Sequence, residues 1–185
     1  YYYWKKKIKM KILFLGDVVG VSGCSKIMNN LLDQIKKNKI DFVIVNAENA
    51  AVSGVGLTKE ICEDFFKCGV NVITTGNHVW DQKDIMNFID KENRLLRPKN
   101  LFEPAPGKGF EIYTTEKNIK IGVLNLMGNV FMKKCEDVFE AAKKFLNTFK
   151  LKKDYDLLVV DFHGEITSEK NAIGYYFDGK ATLVV

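Results

Sequence analysis

The sequence has little proline, little histidine and no long apolar run. It contains three prolines and two histidines in 185 residues, and no apolar stretch approaches the ~20 residues that a membrane-spanning helix needs. Its four cysteines form no CxxC pair and no metal-finger spacing. With 46% hydrophobic and 28% charged residues, the composition excludes a disordered tail, a collagen-like fibre and a disulfide-stapled miniprotein. It is typical of one globular α/β domain.

The net charge of +5 comes from the first residues of the chain. Four of the 28 basic residues, Lys5, Lys6, Lys7 and Lys9, lie there, which leaves 24 basic against 23 acidic residues. Charge therefore gives no argument for a polyanionic partner. Because Met10 is followed at once by a strand-like run, we expect residues 1–9 to be a non-native or disordered leader and residues 10–185 to form the domain.

A second interpretation of the N-terminal region is a lipoprotein signal that ends at a lipid-modified Cys24. Lysines followed by an apolar stretch and then VSGC at residues 21–24 imitate such a signal. However, Lys11 and Asp17 interrupt the stretch, and charges are costly within such a segment. We therefore favour a reducing cytoplasmic location and no membrane contact, and keep the lipid-anchored hydrolase as an alternative.

Apolar runs of strand length alternate with segments of helical periodicity along the whole chain. This pattern predicts a largely parallel sheet that is covered on both sides, in an α/β fold. We expect Thr58 to cap the second helix and Asp81 to cap the third. The predicted strands are 11–16, 41–45, 70–74, 110–115, 119–126, 157–162 and 181–185, and the predicted helices begin near 27, 58, 81, 136 and 168.

Polar residues follow the buried strands at the point where each strand ends. Asp17 follows the first strand, Glu48 and Asn49 the second, Asn77 and His78 the third, and His163 a later one. Ligands of open α/β sheets bind at that edge. Oxygen ligands with imidazole suit Mn, Fe, Mg or Zn better than a thiolate metal.

Each of these residues alone also has a structural explanation. A carboxylate or an asparagine can bond turn amides, and a single histidine can be a satisfied structural residue. Separate turn chemistry would not place all of them at equivalent strand ends, so we predict one shared metal site. We expect Asp161 to face the opposite side of its strand from His163 and to have a structural role.

Five sequence blocks, in order, resemble a known family. They are GDVVG at 16–20, NAENAA at 46–51, TGNHVWD at 75–81, RP at 97–98 and VDFHGEITSEK at 160–170. With these blocks, residues 10–185 resemble the bacterial calcineurin-like metallophosphoesterases of the YmdB type, which are cyclic-nucleotide phosphodiesterases. The resemblance implies a layered α/β metallophosphoesterase fold, with four layers, and a dinuclear iron or manganese centre, for which Mg or Zn could substitute.

The resemblance also implies roles for individual residues. Asp17, Glu48 and Asn49 would serve the first metal, and Glu48 would bridge to the second, which Asn77 and His163 would bind. His78 would be the general acid. The family continues beyond the strand that matches 181–185 with a histidine-containing segment that supplies one more ligand to each metal. We therefore expect this chain to be C-terminally truncated, with an incomplete fold, and to have little activity by itself.

The function that these observations predict is hydrolysis of cyclic nucleotides, 2′,3′-cyclic ones foremost, by a hydroxide held between two divalent metal ions. An alternative is a regulatory protein associated with RNA metabolism that has the same fold and turns over slowly. The expected partners are accordingly a cyclic nucleotide or other phosphodiester, RNA-processing proteins and a second copy of the chain.

Overall fold

The computed structural model describes residues 9–102 and 104–185. The expected leader lies outside the described residues except for Lys9. Strands and helices alternate in the order that the periodicity predicts. The strands are β1 (Ile12–Leu15), β2 (Phe42–Asn46), β3 (Val72–Thr74), β4 (Leu95–Leu96), β5 (Phe110–Thr114), β6 (Lys120–Met127), β7 (Leu157–His163) and β8 (Leu183–Val184). The helices are α1 (Gly20–Asn38), α2 (Lys59–Lys67), α3 (Asp84–Phe88), α4 (Val138–Thr148) and α5 (Thr167–Tyr176).

The strands form two four-stranded sheets. The first sheet has the order β1-β2-β3-β4 and is parallel throughout. The second has the order β5-β6-β7-β8, in which β5 is antiparallel to β6 and the other pairs are parallel. The short β4 is absent from the sequence prediction because two residues give no periodicity.

Two of the five helices, α2 and α4, begin at a residue whose side chain caps them. Thr58 accepts a hydrogen bond from the Ile61 amide at 3.3 Å, which confirms it as the cap of α2. Asp137 caps α4 in the same way. The prediction that Asp81 caps the third helix is wrong: α3 begins at Asp84 with no side-chain cap. The Asp81 carboxylate binds His78 and Lys133 instead.

Three apolar clusters hold four layers together. One packs the first sheet against α1, α2 and α3, and another packs the second sheet against α4 and α5. The third lies between the sheets and includes Ile44, Val72, Ile121 and Val159, all fully buried. Each sheet is therefore covered by helices on one face and by the other sheet on its second face. This arrangement agrees with the layered α/β fold and explains why the central strands are apolar at successive positions.

Two findings bear on the alternative of a lipid-anchored protein. Cys24 lies in α1, is 5% exposed and donates its thiol hydrogen to the Ala50 carbonyl oxygen at 3.2 Å. A lipid on this sulfur would not fit within the packed helix. Within the described residues, no helix has the length and apolar character needed to cross a membrane.

Candidate metal centre

The ends of four strands bring the predicted site residues together. Asp17, Glu48 and Asn77 follow β1, β2 and β3, which are neighbours in the first sheet. His163 is the last residue of β7 and comes from the second sheet. Because β1, β2 and β3 are parallel neighbours, their carboxyl ends meet at one edge of the first sheet. The packing of the two sheets brings the end of β7 beside them. The site therefore lies where the two sheets face each other.

Glu48 is the centre of this cluster. Its side chain is 2% exposed, and its two oxygens have different partners. Oε1 lies 2.9 Å from Nε2 of His163 and accepts a hydrogen bond of 3.0 Å from the Asn49 amide. Oε2 accepts from the backbone amide of His78 at 3.3 Å. One buried carboxylate thus contacts residues from β7 and from the loops after β2 and β3.

Two oxygen atoms converge at Nε2 of His163. Glu48 Oε1 and Asn77 Oδ1 both lie 2.9 Å from this nitrogen. Burial lowers the pKa of His163, but the hydrogen bond and charge of Glu48, with the charges of Asp161 and Asp17, outweigh it and leave the pKa raised. A cation at this place would find an imidazole nitrogen, a carboxylate oxygen and an amide oxygen.

A second group of donors surrounds Asn49. Its Nδ2 donates to Asp17 Oδ2 at 2.8 Å and to Glu48 Oε1. Its Oδ1 is buried and has no hydrogen-bond partner among the described residues. Burial, with the nearby charge of Glu48, raises the pKa of the Asp17 carboxyl despite the hydrogen bond from Asn49. An unpartnered buried carbonyl oxygen is costly unless a cation or a hydrogen-bond donor satisfies it.

The side chains of this cluster suit divalent metal ions only when the amide oxygens of Asn49 and Asn77 are counted among the ligands. Within 9–102 and 104–185, no group of three or more His, Cys, Asp or Glu side chains is placed to hold a metal ion. Any coordination here therefore depends on Asn49 and Asn77 as well. Oxygen donors with one imidazole match the chemistry of Mn, Fe, Mg and Zn.

His78 stands at the rim of the cluster and is held by a carboxylate. Its Nδ1 lies 2.6 Å from Asp81 Oδ2. Burial raises the pKa of Asp81, but the hydrogen bonds from His78 and Lys133 outweigh this and leave the pKa below its usual value. An ionised carboxylate only accepts, so the hydrogen of this bond belongs to Nδ1. The opposite nitrogen, Nε2, makes no hydrogen bond within the described part of the chain and can exchange a proton with a ligand.

A buried polar network supports the site from below. Asn46, the last residue of β2, donates to Asp161 Oδ2 at 2.8 Å, and its Oδ1 accepts from the Glu48 amide at 3.3 Å. Burial raises the pKa of Asp161 to about 6, against the effect of the hydrogen bond from Asn46. The expectation that Asp161 faces away from His163 is wrong, because residues two apart on a strand share a face. Its structural role is retained, since it joins the two sheets.

Gly76 allows the side chains of Glu48 and His163 to lie close together. A Cβ at this position would overlap Glu48 Oε2 and the ring of His163. Any larger residue would therefore push apart two of the central side chains. The spacing of residues in the sequence gives no signal for this contact, since Glu48 and His163 are 115 residues apart.

The structure thus places Asp17, Glu48, Asn49, Asn77, His78 and His163 in one cluster. Their individual roles stay predictions. Sequence reasoning missed Gly76, Asn46, Lys133 and the contact of Asp81 with His78. For Asp81, the spacing of three residues from His78 is a usable signal, because it places both side chains within one turn of chain.

Comparisons with known proteins agree with this architecture. A protein-family model, described as "YmdB-like protein", matches residues 13–185 of this chain. A 2′,3′-cyclic-nucleotide 2′-phosphodiesterase of Bacillus subtilis (strain 168) is 41% identical over 176 residues, which are 95% of this chain and 65% of that protein.

Two solved structures have the same fold. A hypothetical protein from Thermus thermophilus superposes with a TM-score of 0.85 at 33% identity, over 95% of this chain and 66% of that one. A novel phosphatase from Mycoplasma pneumoniae superposes with a TM-score of 0.83 at 40% identity, over 94% of this chain and 62% of that one. The chain spans just under two thirds of the length of these relatives.

Proposed function

Because the chain belongs to the YmdB-like protein family, we propose that it is the metal-binding part of a phosphodiesterase that hydrolyses 2′,3′-cyclic nucleotides. The observation that carries this proposal is the convergence of Glu48 Oε1 and Asn77 Oδ1 on His163 Nε2, each at 2.9 Å. The name of the Bacillus subtilis relative supports the substrate class and the bond that is broken.

The residues that would bind metal ions form two groups, and Glu48 belongs to both. Asp17, Asn49 and Glu48 would hold one divalent ion, and Asn77, His163 and Glu48 would hold another. When bound, two such ions supply positive charge that activates water and stabilises the charge of the phosphoryl transition state. The buried carboxylate of Glu48 suits a shared position because it has two oxygens and a negative charge.

The two amide ligands limit the negative charge of the site. Asn49 and Asn77 donate oxygen without adding charge, so a diester anion meets less repulsion than it would beside four carboxylates. The unpartnered Oδ1 of Asn49 supports this role. Its Nδ2 faces the carboxylates in this structure, and rotation of the amide exchanges the two atoms.

His78 carries the proton that the leaving oxygen needs. In the proposed reaction, the oxygen of water bonds to phosphorus and one of its protons passes to solvent, while the bond from phosphorus to O2′ breaks. His78, with hydrogen on both ring nitrogens, donates the Nε2 proton to O2′ and takes one back from solvent afterwards. Asp81 holds the hydrogen on Nδ1 and so keeps Nε2 directed away from the carboxylate. The product is a nucleoside 3′-phosphate with a free 2′ hydroxyl.

The test is hydrolysis of 2′,3′-cyclic AMP by a version of the protein extended to the length of its relatives, with added Mn²⁺ or Fe²⁺, followed by chromatographic identification of the product; the chain by itself, assayed beside it, should have little activity. We expect adenosine 3′-phosphate, no activity in EDTA and no activity for Glu48→Gln. Formation of adenosine 2′-phosphate would contradict the assigned leaving group. A protein that binds two metal ions but hydrolyses neither this substrate nor bis(p-nitrophenyl) phosphate would support the alternative of a regulatory protein.

A further inference from the structure

The loop between β6 and α4 (residues 128–137, the 128–137 loop) crosses from the second sheet to the rim of the site. Lys133 on this loop places its Nζ 3.0 Å from Asp81 Oδ1. Lys133 and Asp81 are 52 residues apart and follow strands of different sheets. The ion pair therefore links the two halves of the molecule beside His78.

The base of the 128–137 loop is fixed by buried groups. The Gly128 amide donates to the carbonyl oxygen of His163 at 2.9 Å. The Asn129 amide donates to Glu169 Oε1 at 2.8 Å, and Glu169 is only 8% exposed. Asn129 Oδ1 accepts from the Val138 amide at 2.9 Å at the start of α4. These contacts set the direction in which the loop leaves β6 and thus where Lys133 lies.

Lys133 binds the carboxylate oxygen of Asp81 that does not contact His78. Oδ2 accepts from His78 Nδ1 at 2.6 Å, and Oδ1 accepts from Lys133. With a partner on each oxygen, the plane of the carboxylate is fixed, and so is the ring that donates to it. With one partner, the carboxylate can rotate about its Cβ–Cγ bond and exchange its oxygens.

We propose that Lys133 is a positioning residue that acts through Asp81 to orient the ring of His78 for proton transfer. This inference rests on the proposed function, in which His78 protonates the leaving oxygen. The Lys133 side chain is 55% exposed and that of Asp81 28%, and exposed pairs contribute little each. We therefore expect an effect of about three- to tenfold on turnover, well below the ~10²–10⁴-fold effect of a lost general acid.

The first experiment compares Lys133→Met with Lys134→Met, a matched control that is adjacent, exposed and in no ion pair within the described residues. Each is made in the version of the protein extended to the length of its relatives and is assayed with 2′,3′-cyclic AMP and with bis(p-nitrophenyl) phosphate at saturating Mn²⁺. We expect Lys133→Met to lower kcat about three- to tenfold on the cyclic nucleotide only, with unchanged KM, because nitrophenolate leaves without a proton. Lys133→Arg should restore kcat. An equal loss on both substrates, or a change confined to KM, would overturn the proposal.

A second set of variants separates the path through Asp81 from a direct effect. Asp81→Asn should lower kcat on the cyclic nucleotide, and Lys133→Met should then add no further loss to it. If the two losses multiply, Lys133 does not act through Asp81.

The third readout does not need activity. The chain has only two histidines, so ¹⁵N-histidine labelling of the metal-free protein gives two ring systems, which His78→Asn assigns. We expect a slowly exchanging Nδ1–H signal for His78 in the wild type, in Lys134→Met and in Lys133→Arg, and its broadening or loss in Lys133→Met. An unchanged signal in Lys133→Met would refute the proposal. If neither substrate is hydrolysed, the proposed function fails, and this signal still decides whether Lys133 orders the ring.

Discussion

Glu48→Gln is the substitution that most directly tests the shared-ligand geometry. Glutamine keeps the shape of the side chain and removes its charge. Glu48 is 2% exposed and has contacts to His163, Asn49 and the His78 amide. In the metal-free protein, a neutral hydrogen bond would replace the charged one to His163, at a cost of about 1 kcal/mol in free energy of unfolding. The fold should therefore survive.

The effect on metal binding should be much larger. Loss of a residue that only supports a ligand lowers metal affinity about 10–100-fold, so loss of a charged ligand should cost at least about 100-fold, or about 2.7 kcal/mol. Because Glu48 is the only side chain proposed to touch both ions, both should weaken. Asn77→Ala should weaken mainly one.

The assay is metal content of the purified proteins together with calorimetric titration of Mn²⁺ into the metal-free forms. Glu165→Gln is the matched control, because it makes the same change of charge at an exposed position two residues from His163. It should bind metal like the wild type. If Glu48→Gln retains two ions with nearly the wild-type affinity, Glu48 is not a shared ligand and the reasoning fails.

Three further predictions concern other parts of the site. His78→Ala should lower turnover of 2′,3′-cyclic AMP about 10²–10⁴-fold with metal content intact, and should affect bis(p-nitrophenyl) phosphate much less. Gly76→Ala should reduce metal content and thermal stability together, since its Cβ would overlap Glu48 and His163; circular dichroism melting and metal analysis measure both. Asp161→Asn should remove a pH-dependent loss of stability. Because burial raises the pKa of Asp161 to about 6, the folded protein keeps a proton on this carboxyl that the unfolded protein releases. The free energy of unfolding of the wild type should therefore fall as pH rises from about 4 to about 6.

Each of these predictions has a result that contradicts it. Equal losses on both substrates in His78→Ala would remove the proton-donor role. Normal metal content in Gly76→Ala would show that the donors can move apart and still bind. For Asp161→Asn, urea unfolding of the metal-free protein across this pH range should differ from the wild type in slope, and parallel curves would mean that the carboxyl is ionised within the fold.

Local chemistry in the sequence was sufficient to predict the helices and all strands except β4, and to predict which polar side chains follow the strand ends. Apolar runs of strand length, helical spacing and the Thr58 cap depend on neighbouring residues, and the structure confirms them. The strand ends also marked Glu48 and His163 as candidates for one site. These two residues follow strands of different sheets, so their contact itself depends on how the sheets pack.

Tertiary structure alone decided how the strands divide into two sheets and which distant side chains pair. Asp81 satisfies the local pattern of a helix cap, yet its carboxylate binds His78 and Lys133, because the 128–137 loop brings a cation from 52 residues away. The contacts of Gly76 with Glu48 and His163, and the Asn46–Asp161 hydrogen bond, likewise join segments that are distant in the sequence. These contacts depend on the packing of one sheet against the other, which no local pattern in the sequence encodes, and they determine how closely the donors of the site approach.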